Sequence, residues 1–197
     1  MKQGKAGVDG GTAVGAPLRI AKSDRATTAR NGAKQSQPDA EGRAQRQLDI
    51  LKKLRIVIRA AQRHSGWIEK QCGVNGAQLW IMQELMESPG MRVGQIAETL
   101  AIHQTTTSNL LDGLEKRGYI VKGRDPIDQR AVRIALSDAG KKALQGAPAP
   151  ARGLLPEALR QLDPALAGEL SIGLQGLLES IGSLDESFGL EPLSFMV

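Results

Sequence analysis

The densest chemistry in this chain lies between residues 103 and 133. Gln104, Thr105, Thr106, Ser108 and Asn109 crowd short amide and hydroxyl side chains into little more than one helical turn. Such groups donate and accept at once, which suits base edges and phosphate oxygens. The free amides of a helix start add a favourable dipole toward phosphate. Twenty residues on, Arg124, Asp128, Arg130 and Arg133 cluster around a polar turn. An arginine at a hairpin tip can enter a narrow minor groove, where negative potential is high. Asp128, two residues before Arg130, is placed to hold that guanidinium, and Arg124 and Arg133 can meet phosphates.

Blander explanations compete. Ser and Thr gather at helix starts to cap them, and a charged turn is by default a solvated turn. Capping accounts for His103 at the cap position, but it explains the five-residue polar run poorly. Other chemistry is sparse. His64 and His103 are the only histidines, with no partners at metal-ligand spacing, so no metal is expected. The glycines from Gly7 to Gly15 do not lie between a strand and a helix, which excludes a phosphate loop. No nucleophile, base and orienting acid stand together, so no catalytic residue is assigned and no enzyme is expected. Trp67 and Trp80 lie in apolar helical runs and read as core.

The elements that position these residues follow from periodicity. A long helix is expected from about Gly42 to Gln71, with Leu51, Leu54, Ile58, Ala61 and Ile68 on one stripe. Ile50, Val57 and Trp67 widen that stripe beyond one buried side, as at a subunit interface. Gly73 and Asn75-Gly76 close it. Helices then follow at Ala77–Met86, Val93–Leu100 and about Gln104–Arg117, with Gly118 at the end of the third. The period next changes to two: Tyr119–Arg124 and Val132–Leu136 form a hairpin around the Arg124–Arg130 turn. Ser137 and Asp163 cap further helices, and Leu166, Leu170, Leu174, Leu177, Leu178 and Ile181 stripe the last.

Bulk properties agree. The 197 residues are 41% hydrophobic but only 3% aromatic, so the core is aliphatic and the fold mainly helical. A net charge of +5 is compatible with a polyanionic partner. Cys72 stands alone, without an intrachain disulfide, and no apolar run spans a bilayer or leads the chain as a signal. A cytoplasmic protein with no membrane partner is the expectation.

Two short helices, a polar helix and a basic hairpin make a winged helix-turn-helix, in which the second helix enters the major groove. The stretch from about Leu79 to Lys142 resembles the MarR family. The carrying residues are Val93-Gly94-Gln95-Ile96-Ala97-Glu98-Thr99-Leu100, Leu114-Glu115-Lys116-Arg117-Gly118-Tyr119-Ile120, the wing from Arg124 to Arg133, and Leu136-Ser137-Asp138-Ala139-Gly140. The family's wing pattern of acid, spacer, Asp, any residue and Arg is met by Asp125, Asp128 and Arg130. His103 departs from the usual Ser or Thr cap, and the glycines and prolines from Gly146 to Pro156 interrupt the penultimate helix.

The resemblance implies a homodimeric, sequence-specific regulator of transcription on double-stranded DNA. It would act on a palindromic operator, as a repressor released by a small aromatic or phenolic effector. No cofactor is implied beyond that effector. The alternative is a winged-helix protein or RNA interaction module. Some members sense oxidants through a cysteine near the start of the first helix; Cys72 does not match that place and reads as a plain buried thiol. The fold class is therefore mainly α with a small β-hairpin wing and flanking dimerisation helices. The expected divisions are a disordered basic tail over 1–42, a dimerisation helix over 43–73, a DNA-binding lobe over 74–137, dimerisation helices over 138–185 and a loose end over 186–197.

Overall fold

In the computed structural model, residues 37–182 and 185–197 are described. Most of the expected N-terminal tail, residues 1–36, lies outside them. Helix α1 runs from Gln37 to Cys72, through Gly42 and five residues earlier than its periodicity shows. Gly73, at φ +65°, ends it. Asn75 then caps α2 (Gly76–Glu87) reciprocally with Gln78: the Asn75 side chain accepts from the Gln78 amide at 2.8 Å, and the Gln78 side chain accepts from the Asn75 amide at 3.3 Å. Helix α3 (Val93–Leu100) meets α4 (Gln104–Lys116) at a tight corner, where Ala101 adopts φ +52°. A non-glycine residue in that region is uncommon, so the corner is held by its surroundings.

Strands β1 (Ile120–Arg124) and β2 (Val132–Leu136) pair antiparallel, from Ile120 opposite Leu136 to Arg124 opposite Val132. Met91 bridges to Ile134 and adds a short third edge. Ser137 joins the hairpin to α5 (Asp138–Gln145). Its hydroxyl accepts from the Gly140 amide at 3.0 Å and donates to the Gly118 carbonyl at 2.6 Å. Gly140 has to be glycine, because a Cβ there would lie 2.1 Å from the Tyr119 carbonyl oxygen. Helix α6 spans Leu154–Gln161 and α7 spans Pro164–Ile181, the latter capped by Asp163.

The core sits in the lobe made by α2, α3, α4, the hairpin and the end of α1. Ile68, Leu79, Ile81, Met82, Leu85, Ile96, Leu111, Leu114 and Ile134 are fully buried there. Burial at the α1 end extends to Ala61 and Ile68, whereas Leu48, Ile50, Ile56, Val57 and Ile58 stay exposed. Helices α6 and α7 bury no residue. Trp80 packs against the core and donates its indole N–H to Glu84 at 2.8 Å. Trp67 differs from expectation: it is 50% exposed, because Ala61, His64, Ser65 and Ile68 take the buried side of that stretch of α1. Cys72 is half-buried, and burial pushes its thiol pKa up.

Residues 185–197 are not a loose end. Asp185 caps a 3-10 turn at Glu186–Leu190, and the following residues return to the lobe. The Ala77 amide donates to the Met196 carbonyl at 3.1 Å and the His103 amide to the Leu190 carbonyl at 2.9 Å. No helix among the described residues is long and apolar enough to cross a membrane.

Candidate nucleic-acid interface

Helix α4 presents its start outward because its other face is anchored. Thr107, fully buried, donates its hydroxyl to the His103 carbonyl at 3.1 Å, while Leu110, Leu111 and Leu114 enter the core. That rotation leaves Gln104, Thr105 and Asn109 exposed and Thr106 and Ser108 half-buried. The Ser108 hydroxyl donates back to the Gln104 carbonyl at 2.9 Å, so it meets a ligand chiefly as an acceptor. His103 occupies the cap position, but its ring makes no capping hydrogen bond. The first α4 amides therefore remain available to an anion.

The hairpin tip is organised by a carboxylate, though not the expected one. Asp125 is only 1% exposed. One of its oxygens accepts from the Ile127 amide at 2.9 Å and the Asp128 amide at 3.4 Å. The other accepts from Arg133 Nε at 2.7 Å and Arg92 Nη2 at 3.1 Å. The Ile127 amide first, then the two guanidinium groups, hold its carboxyl well below the usual carboxylate range against the opposing cost of burial.

Asp128 does not pair with the Arg130 guanidinium. It accepts instead from the Arg130 backbone amide at 3.1 Å, and its other oxygen faces Arg92 at 3.9 Å. An Asp two residues before an amide closes a local turn more cheaply than it recruits a long side chain. Arg133 is committed as well: besides Asp125 it donates to the Gly90 carbonyl at 3.2 Å, so its Nε and Nη1 are both engaged within the fold. Arg124 donates to the Gln129 carbonyl across the turn at 2.7 Å. Arg130 is exposed, and its guanidinium forms no hydrogen bond or ion pair among the described residues. Lys122 on β1 reaches Asp112 at 2.8 Å and Glu115 at 2.7 Å, tying the wing to α4. The hydrogen bond from Lys122 lowers the Asp112 pKa, and the bonds to Asp112 and Glu115 raise that of Lys122.

Two bracing residues, Arg92 and Asp125, escaped assignment as site residues on sequence. Asp125 had a usable signal: an Asp directly before Pro126 opens a turn by accepting from amides two and three residues on. Arg92 had none, since its role depends on a partner 33 residues away. Among the described residues no group of His, Cys, Asp and Glu is arranged to hold a metal.

Helices α3 and α4 at a tight corner, followed by a braced hairpin, define a winged helix-turn-helix protein. Residues 73–131 match the MarR family. The chain is 29% identical over 97 residues to the uncharacterized HTH-type transcriptional regulator YsmB of Bacillus subtilis, covering 49% of this chain and 66% of that one. It is 30% identical over 73 residues to the HTH-type transcriptional repressor MdtR of the same organism, covering 37% and 46%. The chain thus spans about half to two thirds of these relatives. The MarR family regulator Sco3205 of Streptomyces coelicolor, solved in complex with DNA, shares the fold at a TM-score of 0.50 and 21% identity, covering 71% of this chain and 89% of that one. The similarity to the MarR family is thus carried by residues 73–131, which hold α2 to α4 and most of the wing. The relatives it matches are transcriptional regulators, not enzymes.

Proposed function

We propose that this chain is a transcriptional regulator that binds double-stranded DNA. It would act as a homodimer on a palindromic operator, as a repressor released by a small aromatic or phenolic effector. The observation that carries the reading is the wing. A buried Asp125, fixed by two amides and two guanidinium groups, rigidifies a turn whose exposed cation is Arg130. Fixing the backbone of the turn before binding reduces the ordering cost of the contact. The exposed Gln104, Thr105 and Asn109 supply base-edge chemistry beside it, and Arg124 is left within reach of phosphate.

Two further features support the finer parts. Leu48, Ile50, Leu51, Ile56, Val57 and Ile58 on α1, with Leu166, Leu170, Ile172, Leu174, Leu177 and Leu178 on α7, are exposed apolar side chains. Apolar area of that extent fits a second copy of the same helices. A concavity of about 540 Å³ on α1, lined by Ile56, Arg59, Arg63, His64, Trp67 and Leu154, sets cationic groups beside an aromatic ring. That combination suits an aromatic anion.

The test is selection of bound duplexes from a random library, followed by anisotropy on the winners across a salt series. A palindromic consensus with a steep negative salt slope supports the reading. Weak, uniform binding with no enriched sequence overturns it in favour of a protein or RNA interaction module.

A further inference from the structure

We infer that residues 185–197 form an acidic strap that sits beside the recognition helix and restrains its grip on DNA. The inference rests on the DNA-binding reading given above. The strap is seated by its backbone. The Leu190 carbonyl accepts from the His103 amide at the cap of α4, at 2.9 Å, and the Met196 carbonyl accepts from the Ala77 amide in the first turn of α2, at 3.1 Å. The Phe195 carbonyl accepts from the Ser65 hydroxyl on α1. The α2 amide is one of those that a helix start leaves without an internal partner, so the strap supplies a bond the fold otherwise lacks. Phe195 and Met196 are half-buried in the crevice between α1, the start of α2 and α6.

The strap's charge gives its seat a consequence. Residues 185–197 contain Asp185, Glu186 and Glu191 and no Lys or Arg. Glu191 and Pro192 share a groove with Thr106 and Asn109, two of the polar residues at the start of α4. A duplex entering against that helix brings phosphates toward the Glu191 carboxylate within the range that salt leaves unscreened, with Asp185 and Glu186 further back along the strap beside α7. Seated, the strap opposes the phosphate attraction that α4 and the wing supply. Unseated, it removes that opposition and frees the His103 amide.

The experiment compares the full chain, a chain shortened after Gly182, and the triple variant Asp185→Asn, Glu186→Gln, Glu191→Gln. Asn at 185 keeps the cap of the 3-10 turn, so the triple variant removes charge and leaves the strap in place. Binding is read on a labelled mixed-sequence duplex, and seating by hydrogen exchange at the Ala77 and His103 amides. The expected result is about threefold to tenfold tighter binding by both variants at low salt, converging on the full chain as salt rises. Exchange at Ala77 and His103 should accelerate only in the shortened chain. Unchanged affinity in the triple variant, or weaker binding by the shortened chain, overturns the inference. Equal exchange in the full and shortened chains overturns the seat itself. Should no variant bind duplex, the DNA-binding reading falls and the restraint with it, while exchange still reports whether the strap is docked.

Discussion

The winged lobe and the helical arms use the same aliphatic residues to opposite ends. In the lobe, Leu79, Ile81, Met82, Leu85, Ile96, Leu111 and Leu114 are at most 1% exposed, and no buried side-chain polar atom among the described residues lacks a hydrogen-bond partner. In α7, Leu166, Leu170, Leu174, Leu177 and Leu178 repeat at helical spacing, yet each is between 41% and 53% exposed. The lobe closes its core within one chain. The arms carry an equally regular stripe that this chain does not cover, and the proposed second copy is what would bury it.

The sharpest way to break that comparison is to charge the arm. Leu170→Asp with Leu174→Asp puts two carboxylates into the face that would be buried between copies, so the homodimer should dissociate, read as a halved mass in sedimentation at micromolar concentration. The lobe, which shares no buried residue with α7, should keep its helical signal. An unchanged mass would show that α7 lies outside the interface.

Within the lobe, Leu111→Ala should cost about 2–5 kcal/mol of unfolding free energy, because Leu111 is 1% exposed amid fully buried neighbours. The matched change Leu174→Ala should scarcely alter the unfolding of an isolated chain and should act through assembly. Equal losses in denaturant titrations of both variants, independent of protein concentration, would erase the distinction between the two regions.

Asp125→Asn should have a smaller effect with a distinctive pH signature. The folded-state carboxyl lies below its unfolded value of about 3.9 because the folded state prefers the ionised form. Its stabilisation is therefore fully present above that unfolded value and is lost as pH falls through the folded one. Below about pH 4 the denaturant midpoint of the parent should drop, and the difference between parent and Asp125→Asn should narrow. A pH-independent difference would mean that the carboxylate's charge does not matter to the turn.

Legibility in the sequence followed the same division. Strong periodicity gave Val93–Leu100 and Val132–Leu136 with their observed bounds, whereas the wide α1 stripe is exposed at Ile50, Leu51, Val57 and Ile58 in this chain. The strap was not legible: its anchors are backbone carbonyls, and Glu-Pro-Leu-Ser-Phe-Met-Val shows no period that a side-chain pattern could carry. The wing was half legible. Its residue types marked a charged turn, but which Asp braces which Arg depends on Arg92 and Arg133 arriving from other parts of the chain. Asp128 and Arg130, adjacent in the turn, looked like the pair and are joined only through backbone.

That distinction yields the last test. Among the described residues the Arg130 guanidinium has no partner, whereas Arg133 is bonded to Asp125 and Gly90. Arg130→Ala should therefore weaken duplex binding by about 1–3 kcal/mol while leaving the melting temperature unchanged. Arg133→Ala should lower the melting temperature, and it should weaken binding only as far as the turn loosens. Measuring both quantities for both variants separates a contact residue from a bracing one. If Arg130→Ala binds as the parent does under matched salt, the exposed guanidinium is a solvated tip and the recognition surface is confined to α4.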